Sequence, residues 1–235
     1  MLGFRGCRLG ILHPEITRMQ VGAVMDAALA VATSGPAASP AAPPPKIKIM
    51  VPLVAFATEL EAAASTIHAA AAEALAAAGP DAPKVDYSVG TMIELPRAAL
   101  GAAELATAGG CAFFSIGSND LTQCAIGLSR DDAAVRFLPH YLKSGLLAAD
   151  PFQTVEAGVL ELVRAAVDRG RAAHPGLEVG VCGEHGGDPA SIALFAQAGV
   201  DYVSCSPLRV PVARLAAAQA AVRAKAADKM AHCQD

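Results

Sequence analysis

The 235-residue chain has no tryptophan, and aromatic residues make up only 4% of it. Its core must therefore be built from Ala, Val, Leu and Ile, and heavy alanine use favours helices, since alanine has the highest helix propensity. There is no block or stripe of Lys and Arg, and the formal net charge is −4, which argues against nucleic acid as the main partner. Charges or glycines break every apolar run well short of the roughly 20 residues a membrane span needs, so no membrane partner is expected. The six cysteines (Cys7, Cys111, Cys124, Cys182, Cys205 and Cys233) include no CxxC pair, so zinc spacing is missing. A disulfide framework does not suit a chain this long that is 54% hydrophobic, and a reducing compartment fits it better. No signal-peptide pattern stands at Met1.

What is present is an alternation of short β-branched runs with alanine-rich stretches. Strands are expected at 1–10, 46–54, 86–95, 111–121, 178–187 and 201–207. Helices are expected at 14–33, from Thr58 to Ala78 with a Thr58/Glu61 capping box, from Pro96, at 152–173, at 189–198 and from Pro211 into the 220s. Residues 34–45, SGPAASPAAPPP, read as a low-complexity linker, 129–150 as an irregular charged excursion, and 225–235 as a frayed tail. The βα repetition with near-continuous apolar strands specifies an α/β fold on a parallel sheet. A doubly wound sheet and a β/α barrel both fit; six strands are expected, whereas a closed barrel takes eight.

The polar residues gather at the carboxy ends of these strands, the rim where parallel β/α folds bind ligands. They are Arg5 and Arg8, Glu94, Asn119 and Asp120, Cys182 with Glu184 and His185, and Ser204 and Ser206. Glu94 and Asp120 stand one β/α unit apart, and two neighbouring carboxylates repel unless a cation lies between them. A hard, all-oxygen pair suits Mg²⁺; helix capping is the other reading. Gly117 and Ser118 offer close backbone approach and amides for an oxyanion, or an ordinary turn. Arg5, between glycines, could grip a phosphate or carboxylate or form a structural ion pair. Cys182 reads as inert core or as a thiol acid/base, and His185 as an orienting group or a cap of the turn.

The strings GFRGCRLG, MVPL, VGTMIELPRAAL, FFSIGSNDLTQ, SRDD, FLPHYL, VGVCGEHGGDP and DYVSCSPLRVPVARLAAAQ follow one another from residue 2 to about residue 222. In order and spacing they resemble the carboxy-terminal domain of the pyruvate, phosphate dikinase family, within the broader phosphoenolpyruvate (PEP)-utilising enzymes. The resemblance implies a (β/α)8 barrel of the TIM type, here amino-terminally shortened to about six β/α units, with residues 1–235 forming one partial PEP/pyruvate-binding domain. It implies Mg²⁺ on Glu94 and Asp120, and a substrate site of Arg5, Glu94, Gly117, Ser118, Asn119 and Asp120, Ser118 replacing the family's usual Thr. Arg130 matches an arginine near the phosphate, and Cys182 the general acid/base. The implied reaction is phosphoryl transfer between a phosphohistidine and the enolate of pyruvate. The phosphohistidine and nucleotide domains have no counterpart in this sequence, so the chain alone is expected to be inactive in the full reaction, and the long exposed edges of an open six-stranded sheet are expected to make it poorly soluble. The resemblance further implies a homodimer for the full-length enzyme, and a cytoplasmic or plastid location. The competing readings are a non-catalytic PEP/pyruvate-binding module and a piece of phosphoenolpyruvate synthase.

Overall fold

The computed structural model describes residues 2–34 and 45–231; most of the linker and the last four residues lie outside them. Five parallel strands form one sheet: β1 (Lys46–Val51), β2 (Asp86–Ile93), β3 (Cys111–Gly117), β4 (Glu178–Cys182) and β5 (Tyr202–Val203). Eleven helices accompany them among the described residues. They are α1 (Cys7–Leu12), α2 (Pro14–Ser34), α3 (Ala57–Ala78), α4 (Pro96–Leu100), α5 (Ala102–Thr107), α6 (Ser118–Ile126), α7 (Arg130–Arg136), α8 (Leu138–Lys143), α9 (Ala157–Ala173), α10 (Pro189–Gln197) and α11 (Val210–Ala231).

The strands lie side by side in chain order, β1 to β5. A doubly wound sheet reverses its order at a switch point; this sheet has no reversal. Side chains alternate across a sheet, and the two faces here differ. Val51, Val89, Ile93, Phe114, Ile116, Val179 and Val181 pack into one core with Leu60 and Ile67 of α3 and Val159, Val163 and Val167 of α9. The opposite face carries Lys48, whose ammonium lies 2.6 Å from Glu178 and 5.2 and 5.6 Å from the ring centres of Phe113 and Tyr202. Sequential parallel strands with helices on one face make the wall of a β/α-barrel-type fold. Among the described residues the wall is an arc, with β1 and β5 at its edges.

Several expectations are corrected. Residues 2–10 of the expected first strand, 1–10, are not a strand, so among the described residues five strands replace the expected six. Leu2 and Phe4 are exposed, and Gly6 adopts φ 61 before α1 begins. The segment crosses the end of β1 instead of lying along it: the Cys7 amide donates to Pro52 O at 3.1 Å, and its thiol to Leu53 O at 3.3 Å. The carboxylate at the start of α3 is Glu59, not Glu61; its Oε2 accepts from the amides of Ala55 (2.7 Å) and Phe56 (3.0 Å). The stretch 129–150 contains α7 and α8, held by a small core of Ala133, Leu138 and Phe152. The sequence SNDL opens α6 rather than forming an exit loop. Helix α11 continues to Ala231, beyond the expected start of the frayed tail.

Alanines let helices and sheet approach closely: Ala64, Ala70 and Ala71 of α3 and Ala166 of α9 are buried. An Arg18–Glu73 ion pair ties α2 to α3. The tightest approach is between strands. A methyl group on Gly90 of β2 would lie 2.5 Å from the carbonyl oxygen of Phe113, beside the β2–β3 register shift between Val89 and Thr91. A backbone oxygen in a sheet cannot step aside, so Gly90→Ala is expected to destabilise the fold by about 2 kcal/mol or more. A lowered urea midpoint would show it.

Candidate functional site

The site is built on the ends of β2, β3 and β4. Glu94, one residue past β2, is only 4% exposed. Its Oε1 accepts the Leu53 amide at 2.7 Å. Leu53, just beyond β1, has φ 58, the one positive value among the described non-glycine residues. That conformation costs a side-chain-bearing residue roughly 1–2 kcal/mol, and it turns the amide toward the carboxylate. Burial of the Leu53 side chain, with Gly6 packed on it and the Cys7 thiol on its carbonyl, holds the conformation in place.

Gly117 closes the other side. A methyl group there would lie 2.7 Å from Glu94 Oε2 and 2.7 Å from the sulfur of Met92. This position is glycine so that the β3–α6 junction can pass over the carboxylate. Asp120 follows in the first turn of α6, where the helix dipole favours negative charge. Its Oδ1 accepts from Gln123 Nε2 at 3.0 Å, and Gln123 Oε1 accepts the Arg130 amide at 2.8 Å. Burial raises the Glu94 pKa; the Leu53 hydrogen bond lowers it, the Asp120 charge raises it and the Arg5 charge lowers it. The Asp120 charge is therefore felt at Glu94, and so is that of Arg5.

Cys182, at the end of β4, is opposite Gly117 in register. Its half-buried thiol receives the Ser115 hydroxyl at 3.4 Å and points to the Ile116 carbonyl at 3.6 Å. Burial pushes its pKa up, the Ser115 hydrogen bond pulls it down, and the charges of Glu94 and Asp120 raise it further. Two other contacts sew the first turn of α6 to the end of β4. Ser118 Oγ donates to Cys182 O at 2.9 Å, and the Glu184 amide donates to Asn119 Oδ1 at 3.1 Å.

The structure thus brings Glu94, Gly117, Ser118, Asn119, Asp120 and Cys182 together, with Arg5 on the exposed loop before α1 close enough to act on Glu94. Other rim candidates are engaged elsewhere. Arg8 Nη1 donates to Gly3 O at 2.8 Å, and Ser204 Oγ to Val181 O at 3.2 Å. Ser206 precedes a short 3-10 turn and makes no side-chain cap. Arg130 lines a neighbouring cleft of about 270 Å³ with Asp150, Phe152, Glu184 and Arg209. Leu53, Ser115, Gln123 and Arg209 were not foreseen. Gln123 was accessible, lying three residues after Asp120 on one helix face; Leu53 and Ser115 act through contacts that spacing does not reveal.

Among the described residues no group of three or more His, Cys, Asp or Glu could hold a metal ion. Some cations need only one or two carboxylates plus water and ligand oxygens. Mg²⁺ binds in that way, whereas structural zinc wants four protein ligands. A buried carboxylate coupled to a second one supplies such a donor pair.

The model of the PEP-utilising enzymes' PEP-binding domain matches residues 1–222. This chain belongs to the PEP-utilising enzyme family. Over 220 residues it is 51% identical to the chloroplastic pyruvate, phosphate dikinase of Mesembryanthemum crystallinum, covering 93% of this chain and 22% of that protein. Over 223 residues it is 52% identical to pyruvate, phosphate dikinase 1, chloroplastic, of Arabidopsis thaliana (94% and 22%). It is 51% identical to pyruvate, phosphate dikinase 2 of Zea mays (94% and 24%). The chain thus spans under a quarter of the length of these PEP-utilising relatives. No helix among the described residues is long and apolar enough to cross a membrane.

The thiol offers a direct check. Alkylation needs the thiolate, and a free cysteine titrates near about 8.5. Cys182 should therefore alkylate half-maximally above that pH, and Ser115→Ala, which removes the hydroxyl that favours the thiolate, should shift the midpoint further up. Mass-spectrometric rates of iodoacetamide labelling across pH, read on the Cys182 peptide, measure both.

Proposed function

We propose that this chain binds pyruvate and phosphoenolpyruvate with Mg²⁺, and forms the half-site at which a phosphoryl group moves between a phosphohistidine and the enolate oxygen of pyruvate. The supporting observation is the convergence of Glu94, Asp120 and Cys182 on adjacent strand ends, with the charge of Arg5, from a fourth segment, acting on Glu94. Glu94 and Asp120 would hold the cation. When bound, Mg²⁺ supplies a positive charge for the ligand's oxygens.

In the pyruvate-to-PEP direction, the Cys182 thiolate takes a proton from the methyl carbon. The electron pair left on carbon moves to the carbonyl oxygen, which attacks phosphorus as the nitrogen–phosphorus bond of the phosphohistidine breaks. In reverse, the Cys182 thiol returns the proton to carbon. Its raised pKa keeps it protonated at neutral pH, the form that protonates the enolate; proton abstraction is favoured as pH rises. Asn119, fixed through Oδ1 by the Glu184 amide, and the opening of α6 would meet ligand oxygens, and Arg5 would offset the ligand's charge. The phosphoryl donor would come from another domain, since the dikinase relatives are about four times as long. The chain alone is then inactive in the full conversion of ATP, pyruvate and phosphate. The chloroplastic names of the Mesembryanthemum and Arabidopsis relatives favour a plastid over the cytoplasm.

Calorimetric titration with PEP and Mg²⁺ tests the reading. The parent chain should bind, and Glu94→Ala should weaken binding by tenfold or more, because removing one ligand breaks the cation site. Equal binding by both, or turnover of ATP, phosphate and pyruvate by the chain alone, would contradict it.

A further inference from the structure

His185 is fully buried behind Cys182 and takes no part in the chemistry above. Its two ring nitrogens are both engaged: Nε2 lies 2.9 Å from Pro151 O and Nδ1 lies 2.9 Å from Ser118 Oγ. Proton counting constrains the ring. A carbonyl can only accept, so Nε2 carries a hydrogen. Burial lowers the ring's pKa; the Pro151 hydrogen bond and the charges of Asp188 and Asp150 raise it, and Arg130 lowers it. The ring is therefore neutral at pH 7 and Nδ1 is bare, so the one proton of the Ser118 hydroxyl is shared between Nδ1 and the Cys182 carbonyl, each 2.9 Å away.

We propose that His185 is a positioning residue for the β3–α6 junction, Gly117–Asp120, its Nε2–H anchored on the Pro151 carbonyl and its Nδ1 seating the Ser118 hydroxyl at the end of β4. The junction packs tightly there. A methyl group on Gly183 would lie 2.5 Å from Ser118 Oγ and 3.0 Å from Asn119 Oδ1, so a misplaced Ser118 has little room to settle elsewhere. The ring also ties the 150–152 segment to the opening of α6, coupling the α8–α9 connection to it. That this junction holds a ligand rests on the proposed function; the seat of the ring does not.

The test separates the two nitrogens. The side-chain amide of Asn ends near the position of Nδ1, and that of Gln near Nε2. His185→Asn should therefore keep a partner for Ser118, and His185→Gln should keep only the Pro151 contact. Expected are the Nε2–H tautomer in the nitrogen spectrum of the parent at pH 7, PEP/Mg²⁺ affinity within about twofold of the parent for His185→Asn, and about tenfold weaker binding for His185→Gln, the scale of one lost buried hydrogen bond. Hydrogen exchange across residues 117–124 should quicken in His185→Gln and not in His185→Asn. An Nδ1–H tautomer in the parent, or equal effects of the two substitutions on exchange, would overturn the proposal. If the parent binds no PEP, the functional reading fails while the tautomer and the exchange pattern still decide the role of His185. If His185→Gln does not fold, the parent's tautomer and the exchange of His185→Asn decide it.

Discussion

The site depends on one buried carboxylate. Glu94 sits almost out of solvent with the backbone amide of Leu53 as its one hydrogen-bond donor among the described residues, and with a second carboxylate raising its pKa further. Burying a charge with so little compensation is unfavourable, and the fold sustains it through strain of its own. Leu53 holds a backbone conformation that disfavours side chains, and the segment before α1 locks it there through Gly6 and Cys7. Remove that brace and the amide no longer addresses Glu94. The misread first segment is thus a structural part of the site, besides carrying Arg5.

Around this carboxylate, two adjacent strand ends are tied together by short polar contacts. Ser115 meets the Cys182 thiol, Ser118 the Cys182 carbonyl, and Asn119 the Glu184 amide. Cys182, Ser118 and Asn119 are thereby each tied to a neighbour across the ends of β3 and β4, the arrangement that preorganised polar sites require. The glycines serve the same end. Gly117 leaves room for Glu94, and Gly183 leaves room for Ser118 and Asn119.

Much of this was legible in the sequence. Strands β1 to β4 announce themselves as apolar, β-branched runs, and parallel β/α geometry then puts Glu94, Asp120 and Cys182 on one rim without further information. The segment 1–10 misled because its apolar residues neither alternate nor recur with helical period, and its glycines permit the bend that ends any strand. The capping carboxylate was displaced by two positions because Thr58/Glu61 has the spacing of a capping box, while Phe56, which has no capping oxygen, precedes the first turn. Choosing between a barrel and a doubly wound sheet needed the strand order, which composition and periodicity do not encode. Leu53 lay beyond reach for another reason, since its role comes from a contact 41 residues away in sequence; His185 stood out as an orienting group or a cap of the turn, but its partner Ser118 lies 67 residues away.

The central claim is that Glu94 and Asp120 form one cation site. Manganese, which takes the same oxygen ligands as magnesium, reports on this directly by electron paramagnetic resonance. The account predicts one Mn²⁺ bound per chain in the presence of PEP, displaced by Mg²⁺ and lost in Glu94→Gln and in Asp120→Asn alike. Binding that survives either substitution undiminished would contradict it.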